Sequence, residues 1–480
     1  MGFIEKFGLW TEEQRDTAGA VLARVRDEGF GSVRLSFVDQ HGLLRGKTIS
    51  ATSLPAAFRN GIGAVSTLLS KDTSGNTVFS AFNADGGVGI AEMAGAADLV
   101  MVPDPATFRP VPWAEGTARI LCDLRFQNGG QVPFCSRGVF RNALDRAGAA
   151  GFGYRAGLEI EFHLYRRAEH FPNVDGIGRC AHPTPVEPIN HGNQLLLEDR
   201  GDEVEPAIRR IREALDQVGI ELRSIEVEYG ANQLEVTIDP AIGLGSADTM
   251  VLLRSTIKQV ARRNGYHATF MCRPQIQDSK SSGWHLHQSL VTVGADAGRN
   301  AFVPGDGHGL VSPVGQHFIA GLLAHASAAC AFANPTINGY KRFQPYSMAP
   351  DRIAWARDNR GAMIRLVGSA EDGSTHLENR IGESAANPYL YMASQLHCGL
   401  EGIDAQLPLG PSADDPYSAD AKRLPANLSE AIDALEADEV LTQALGAQLV
   451  SYYAALKRAE IARFERTVTD WEQREYFDLY

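Results

Sequence analysis

The residues of this chain best suited to chemistry come in pairs, two positions apart. Glu159 and Glu161 stand in Gly157-Leu-Glu-Ile-Glu-Phe-His-Leu164, and Glu226 and Glu228 lead into Gln233 and Glu235. His285 and His287 flank Leu286 in Gly283-Trp-His-Leu-His-Gln-Ser289, and Glu378 precedes Arg380 in Thr375-His-Leu-Glu-Asn-Arg380. Residues i and i+2 of a strand point to one face. A single Glu-x-Glu is most simply a solvated strand face, because adjacent like charges repel, and a lone histidine is most simply a hydrogen-bonded structural residue. Four such pairs in one chain fit a sharper chemistry. Carboxylate oxygens are the ligands that Mg²⁺ or Mn²⁺ takes, and the ion removes the repulsion.

Arginines supply the complementary half. Arg342 stands in Asn338-Gly-Tyr-Lys-Arg-Phe343, and Arg357, Arg360 and Arg365 stand in Trp355-Ala-Arg-Asp-Asn-Arg-Gly-Ala-Met-Ile-Arg365. Scattered arginines make weak solvated ion pairs, but clustered beside apolar strand sequence they suit planar recognition of carboxylate and phosphoryl oxygens. Carboxylate-held divalent ions with arginines point to phosphoryl transfer from a nucleotide.

The elements that must position these groups are short alternating strands mixed with amphipathic helices over residues 113–480, with Ile225, Val227, Leu234, Val236 and Ile238 apolar enough for buried strands. Thr11 to Gln14 has capping-box form, and Ala18, Val21, Leu22 and Val25 follow at helical spacing. Val33, Leu35 and Phe37 then alternate into an Asp39-Gln40-His41-Gly42 turn and a second run ending at Lys47 and Ile49, a β-hairpin. Pro103, Pro105, Pro110 and Pro112 mark an extended linker, which predicts an N-terminal α+β unit over 1–110 and a second unit over 111–480. Within the second unit, Pro206 suits the first position of a helix over 205–217 closed by Gly219, and a long helix over about 431–470 is interrupted near Gly446.

Composition narrows the partners. The 480 residues carry 45 Lys+Arg against 58 Asp+Glu, a formal charge of −13, which disfavours nucleic acid. Six dispersed cysteines without a C-x-x-C pair fit idle thiols in a reducing compartment, and neither a leader nor an apolar run of membrane-spanning length is present, so a cytoplasmic protein without membrane contact is expected. Gly42-Leu-Leu-Arg-Gly46-Lys47 is one residue short between its glycines for a phosphate-binding loop, and Gly151 to Gly157 misses the dinucleotide fingerprint. A nucleotide would have to be managed by metal ions and arginines instead.

These segments, in this order, resemble the glutamine synthetase family from about residue 20 to 476. The pieces that carry the resemblance are Gly157 to Phe162, Glu228 through Gln233 to Glu235, Ala268-Thr-Phe-Met271, Gly283 to His287, Asn338 to Arg342, Asn359 to Arg365, Glu378-Asn-Arg380 and Ala386-Asn-Pro-Tyr-Leu390. The resemblance implies an α+β protein: an N-terminal β-grasp domain, then a catalytic domain whose curved antiparallel sheet forms a funnel with packed helices. It also implies self-association into two stacked rings, a dodecamer, with active sites between neighbouring subunits. By the same resemblance Glu161, Glu228 and Glu235 would hold one divalent ion, and Glu159, His285 and Glu378 a second beside the ATP phosphates, two to three Mg²⁺ or Mn²⁺ sites in all. Arg342 and Arg380 would grip L-glutamate, Arg360 and Arg365 would stabilise the transferring phosphoryl group, and His287, Ser289, Arg365 and His376 would lie near the nucleotide.

Departures from the family pattern bear on the second substrate. Ammonia-using members carry a flap glutamate just before the Ala-Pro that corresponds to Ala349-Pro350; here that position is Met348. Their Asp-Gly-Ser-Ser is also missing, and Asp72 in Lys71-Asp72-Thr73-Ser74 is the nearest candidate. Removing acids from an ammonium pocket and adding a thioether favours an organic amine with an alkyl or aryl body, as in relatives acting on isopropylamine or aniline in amine catabolism. Ammonia-using and polyamine-using synthetases remain the nearest alternatives, and a non-catalytic member of the fold a third. Ser281 stands where a glycine normally approaches glutamate, Asn232 replaces a glycine, Cys272-Arg273 replaces Pro-Lys, and His376 replaces an arginine. Pro416-Tyr417-Ser418 lacks the surroundings of the tyrosine that some members adenylylate, so no modification is expected there.

Overall fold

The computed structural model describes residues 1–168, 183–294, 297–305, 309–417 and 420–480, so Cys180 and Ser418 lie outside the described residues. In the first unit Thr11 caps helix Glu12–Asp27 in a capping box with Gln14, as its sequence predicts. Strands β1 (Ser32–Val38), β2 (Leu44–Ser50), β3 (Ile62–Val65), β4 (Asp98–Pro103), β5 (Arg109–Pro110) and β6 (Thr117–Arg125) form one sheet in the order β2-β1-β6-β4-β3, with β5 on β6. β1 and β2 pair as the expected hairpin, whereas β1 and β6 run parallel at the centre.

The proline-rich stretch does not leave this sheet. Pro103 ends β4, Pro105 opens a 3₁₀ turn, and Pro110 sits in β5, which flanks the ladder where a missing N–H is tolerated. The central strand β6 comes after residue 110, so a boundary drawn there would cut the sheet.

The second unit is built on β7 (Phe152–Arg167), β8 (Val186–Glu187), β9 (Leu222–Val227), β10 (Gln233–Ile242), β11 (Tyr266–Thr269), β12 (Gly283–Thr292), β13 (Trp355–Arg357), β14 (Ile364–Val367) and β15 (His376–Glu383). Their order is β13-β14-β15-β12-β7-β10-β9, with β8 and β11 both on β7, and the curved sheet nearly closes into a barrel. All pairs are antiparallel except β13 with β14.

Two helix expectations change. The helix foreseen over 205–217 runs from Glu198 to Val218 with Pro206 in its interior: Glu198 and Asp199 favour its N-terminus, and the buried stripe already includes Val204. Gly219 closes it in the left-handed conformation. The C-terminal helix breaks at Gly446, at Asp438, whose side chain caps Leu441 N–H, and again over 466–469, where Thr469 caps the last piece, giving Leu428–Ala437, Glu439–Leu445, Ala447–Glu465 and Asp470–Tyr476. Among the described residues no single helix is long and apolar enough to cross a membrane.

Buried charges tie the two units together. Arg137 meets Asp104, Asp123 and Asp248 at 2.8, 3.1 and 3.0 Å. Arg254 donates to the carbonyls of Gly42, Ser384 and Ala386, and Asn387 Nδ2 donates to Asp39 O. The first hairpin turn is thereby fixed to the segment that follows β15. From there Ser384 Oγ reaches the carbonyls of Glu161 and Gly283, at the heart of the second sheet.

Candidate active site

The strand registers bring the four paired motifs into one row. On β7, Glu159 lies opposite His285 of β12, and Glu161 lies opposite Glu235 of β10. On β15, Glu378 lies opposite His287 of β12 and Arg365 of β14. Side chains of one face on adjacent strands meet, so the i, i+2 pairs become a single cluster.

His285 is the hub. Its Nδ1 stands 2.5 Å from Glu159 Oε1, 3.9 Å from Glu235 and 3.7 Å from Glu378, and its Nε2 stands 3.7 Å from Glu161. His287 Nε2 reaches Glu159 Oε2 at 3.1 Å, while its Nδ1 reaches His376 Nε2 at 2.9 Å. Two sets of donor atoms are close enough to share an ion: Glu159, Glu235 and His285, and Glu159, His287 and Glu378. This differs from the division the family resemblance implies. Glu159 belongs to both sets, His287 enters the second, and Glu161 and Glu228 belong to neither as the side chains stand.

Electrostatics favour a cation here. Burial pushes Glu161 up to about 8, with Glu228 adding to the rise against Arg342 and the Gly283 N–H. Burial, then the Glu159, Glu161 and Glu228 charges, pushes Glu235 up to about 11. Burial and neighbouring acids also raise Glu228. For Glu159 burial opposes ionisation, but His285 and His287 outweigh it and hold the carboxyl well below its usual range. Glu378, fully buried, is held low by Arg380 and both imidazoles against the same burial cost. Oxygen donors that cannot all ionise without a counter-charge, with one or two imidazoles, fit Mg²⁺ or Mn²⁺.

A pH dependence follows. Glu235, a ligand of the first set, and Glu161 beside it hold protons in the ion-free protein at neutral pH, whereas coordination needs a carboxylate at Glu235, so ion binding releases protons and tightens as pH rises. Because these folded-state values lie above the unfolded ones, the ion-free protein loses stability as pH climbs from the ordinary carboxylate range through about 8 for Glu161 and on towards about 11 for Glu235, and the ion restores it. Titration calorimetry with Mn²⁺ in two buffers of different ionisation enthalpy checks this; buffer-independent heats would contradict it.

The arginines close one side. Arg380 donates to Glu378, to Arg360 O at 3.0 Å and to Met348 O at 3.3 Å. Opposite His285, β15 carries an extra residue: Trp284 pairs with Gly382 and Leu286 with Asn379, leaving His285 to face both Arg380 and Ile381. Such a bulge re-aims a side chain. Arg342, at the end of a 3₁₀ turn, donates to Arg380 O at 2.8 Å and stands 3.3 Å from His285 Nε2. Gly283 leaves room for it: a Cβ there would stand 2.4 Å from Arg342 Nη2 and push the guanidinium aside. Arg365 Nη1 donates to Glu378 Oε2 at 3.0 Å, whereas the Arg360 side chain is exposed.

Other predicted residues fall less evenly. Ser289 is buried on β12, two positions beyond His287. Ser281 contributes only its carbonyl, which accepts from Gln233 Nε2 at 3.3 Å. Asn232 has φ +63°, a left-handed value that asparagine tolerates better than most residues, which accounts for its standing where the family has glycine. Asp72 is not in the cluster of its own chain: its carboxylate accepts from Ser74 and Asn76 of its own loop and lies 3.4 Å from Arg463. Gln233, to which no role falls from the sequence alone, also belongs to the site. Its Nε2 donates to Glu161 Oε2 at 2.7 Å, and its place two residues before Glu235 on β10 was the available signal.

A profile of the glutamine synthetase catalytic domain matches residues 133–476. The chain belongs to the glutamine synthetase family. It is 42% identical to a γ-glutamylanilide synthase of Acinetobacter sp., covering 100% of this chain and 99% of the relative. A glutamate–isopropylamine ligase of Pseudomonas sp. is 31% identical over 98% of this chain and 100% of its own length. Among solved structures, apo GmaS without ligand superposes with TM-score 0.79 at 29% identity, covering 95% of this chain and 99% of that one. Family members of this kind are carbon–nitrogen ligases, which accords with a cluster built for charge neutralisation.

Proposed function

We propose that this family member joins the γ-carboxylate of L-glutamate to an organic amine with an alkyl or aryl body, consuming ATP. The observation that carries the reading is Met348: its carbonyl is anchored on Arg380 beside the glutamate cluster, and its half-exposed thioether stands where an ammonia-using site has a carboxylate. The names of the relatives above, and of a γ-glutamylethanolamide synthetase from Streptomyces coelicolor that is 34% identical, support an amine larger than ammonia.

Arg342 and Arg380 bind the glutamate carboxylates, which aligns a γ-carboxylate oxygen with the terminal phosphorus of ATP. That oxygen forms the new P–O bond as the bond to ADP breaks. Arg365, with Arg360 moving in from solvent, takes up the charge on the transferring group. His287, Ser289 and His376 line the nucleotide side. Two or more Mg²⁺ or Mn²⁺ ions would neutralise the phosphate oxygens, one held by Glu159, Glu235 and His285 and another by Glu159, His287 and Glu378, with Glu161 and Glu228 beside them. The amine nitrogen then attacks the acyl carbon, phosphate leaves, and the nitrogen loses one proton. Mass spectrometry of a reaction with glutamate, ATP and aniline should give γ-glutamylanilide with ADP and phosphate in equal amounts; ATP hydrolysis without amide would contradict the proposal.

Ring assembly belongs to the same reading. Val468, Trp471, Phe477 and Leu479 are exposed apolar side chains within twelve residues of one another, the kind of surface that protein–protein contacts cover. In a ring, the Asp72 loop would serve the site of a neighbouring subunit.

A further inference from the structure

The segment after Arg342 carries two features that the mechanism leaves unused. Tyr346 and Met348 both have left-handed backbones, φ +58° and +61°, a conformation costly for bulky residues and concentrated at functional sites. Tyr346 is also 80% exposed, yet its ring is not loose: it packs on Tyr417, with centroids 4.6 Å apart and planes inclined at 40°. The pair sits against the catalytic arginines. A Cβ on Gly361, the neighbour of Arg360, would stand 3.2 Å from Tyr417 Cε2. Two residues after Tyr346, the Met348 carbonyl accepts from Arg380.

With the Tyr346–Tyr417 pair and Met348 two residues on, this segment is aromatic and thioether in character. Of the acids beside it, Asp351 lies 3.5 Å from Arg352 and Asp415 accepts from the Tyr417 N–H at 3.1 Å, so both are already engaged. A ring face next to another ring and a sulfur atom suits a flat π-system, through offset or edge contacts and S–aromatic contact. We propose that Tyr346, supported by Tyr417, is a specificity residue that stacks on the body of an aryl amine during the second half-reaction; this rests on the organic-amine reading above.

The test measures KM for aniline and isopropylamine, each with saturating glutamate and ATP, in wild type, Y346A and Y346F. Loss of one aromatic contact is expected to raise the aniline KM of Y346A about tenfold, with isopropylamine changed by less than about twofold and Y346F close to wild type. The KM values for glutamate and ATP should be unchanged, which also reports an intact fold. An unchanged aniline KM in Y346A, or equal losses for both amines, would overturn the stacking role. Wild-type protein that ligates neither amine would overturn the parent reading together with it.

Discussion

Glu159→Ala is expected to lower kcat by about 10³-fold or more and to abolish high-affinity Mn²⁺ binding. Glu159 is the one carboxylate common to both donor sets, so its loss removes a ligand from each. It also strips His285 and His287 of the acceptor that orients them. The result should be a site that keeps its fold, since Glu159 is partly exposed, but holds neither ion in place. Glu228→Ala supplies the contrast. Glu228 is in neither set, and its carboxylate accepts from the backbone of Tyr229, so its removal should cost nearer to tenfold. Equal losses in the two variants, followed by steady-state assay and Mn²⁺ titration, would contradict this grouping.

Arg380→Lys is the second large effect. The Arg380 guanidinium spends its donors in three directions, on Glu378, on the Arg360 carbonyl and on the Met348 carbonyl. A lysine ammonium is a point charge without that fork and cannot satisfy all three from one rotamer. Its substitution should loosen the Met348 segment, misplace Glu378 and weaken the grip on glutamate, lowering kcat/KM for glutamate about 10²- to 10³-fold. Arg357→Lys, on the exposed side of β13, should stay within about twofold. A loss below tenfold in Arg380→Lys would show that the fork is not what holds the site.

The site was legible in the sequence to the extent that strand geometry alone decides it. Side-chain alternation is a local property, so Glu159 with Glu161, His285 with His287 and Glu378 with Arg380 could be placed on common faces before any tertiary information. Which strands pair, and in what register, is a long-range outcome, and that is where the expected ligand sets regrouped: Glu235 joins Glu159 and His285, and His287 joins Glu159 and Glu378. The contact of His287 with His376, and the bulge at Arg380, were invisible for the same reason.

The fold divides in a similar way. The capping box at Thr11 and the left-handed Gly219 stop were readable because they are satisfied within a few residues. Pro206 pointed to a helix start, yet the buried stripe and acidic first turn carry the helix back to Glu198. The prolines around residue 110 resembled a linker because their prohibition applies to central ladders, and β5 is a flanking strand.

The central claim is that the second substrate is an organic amine. The most direct measurement is kcat/KM from ADP release, with saturating glutamate and ATP, across ammonium, isopropylamine, aniline, ethanolamine and a polyamine. The account predicts that aniline or isopropylamine exceeds ammonium by at least about tenfold, the scale of a well-filled apolar pocket. Ammonium turning over as well as or better than every organic amine would contradict it.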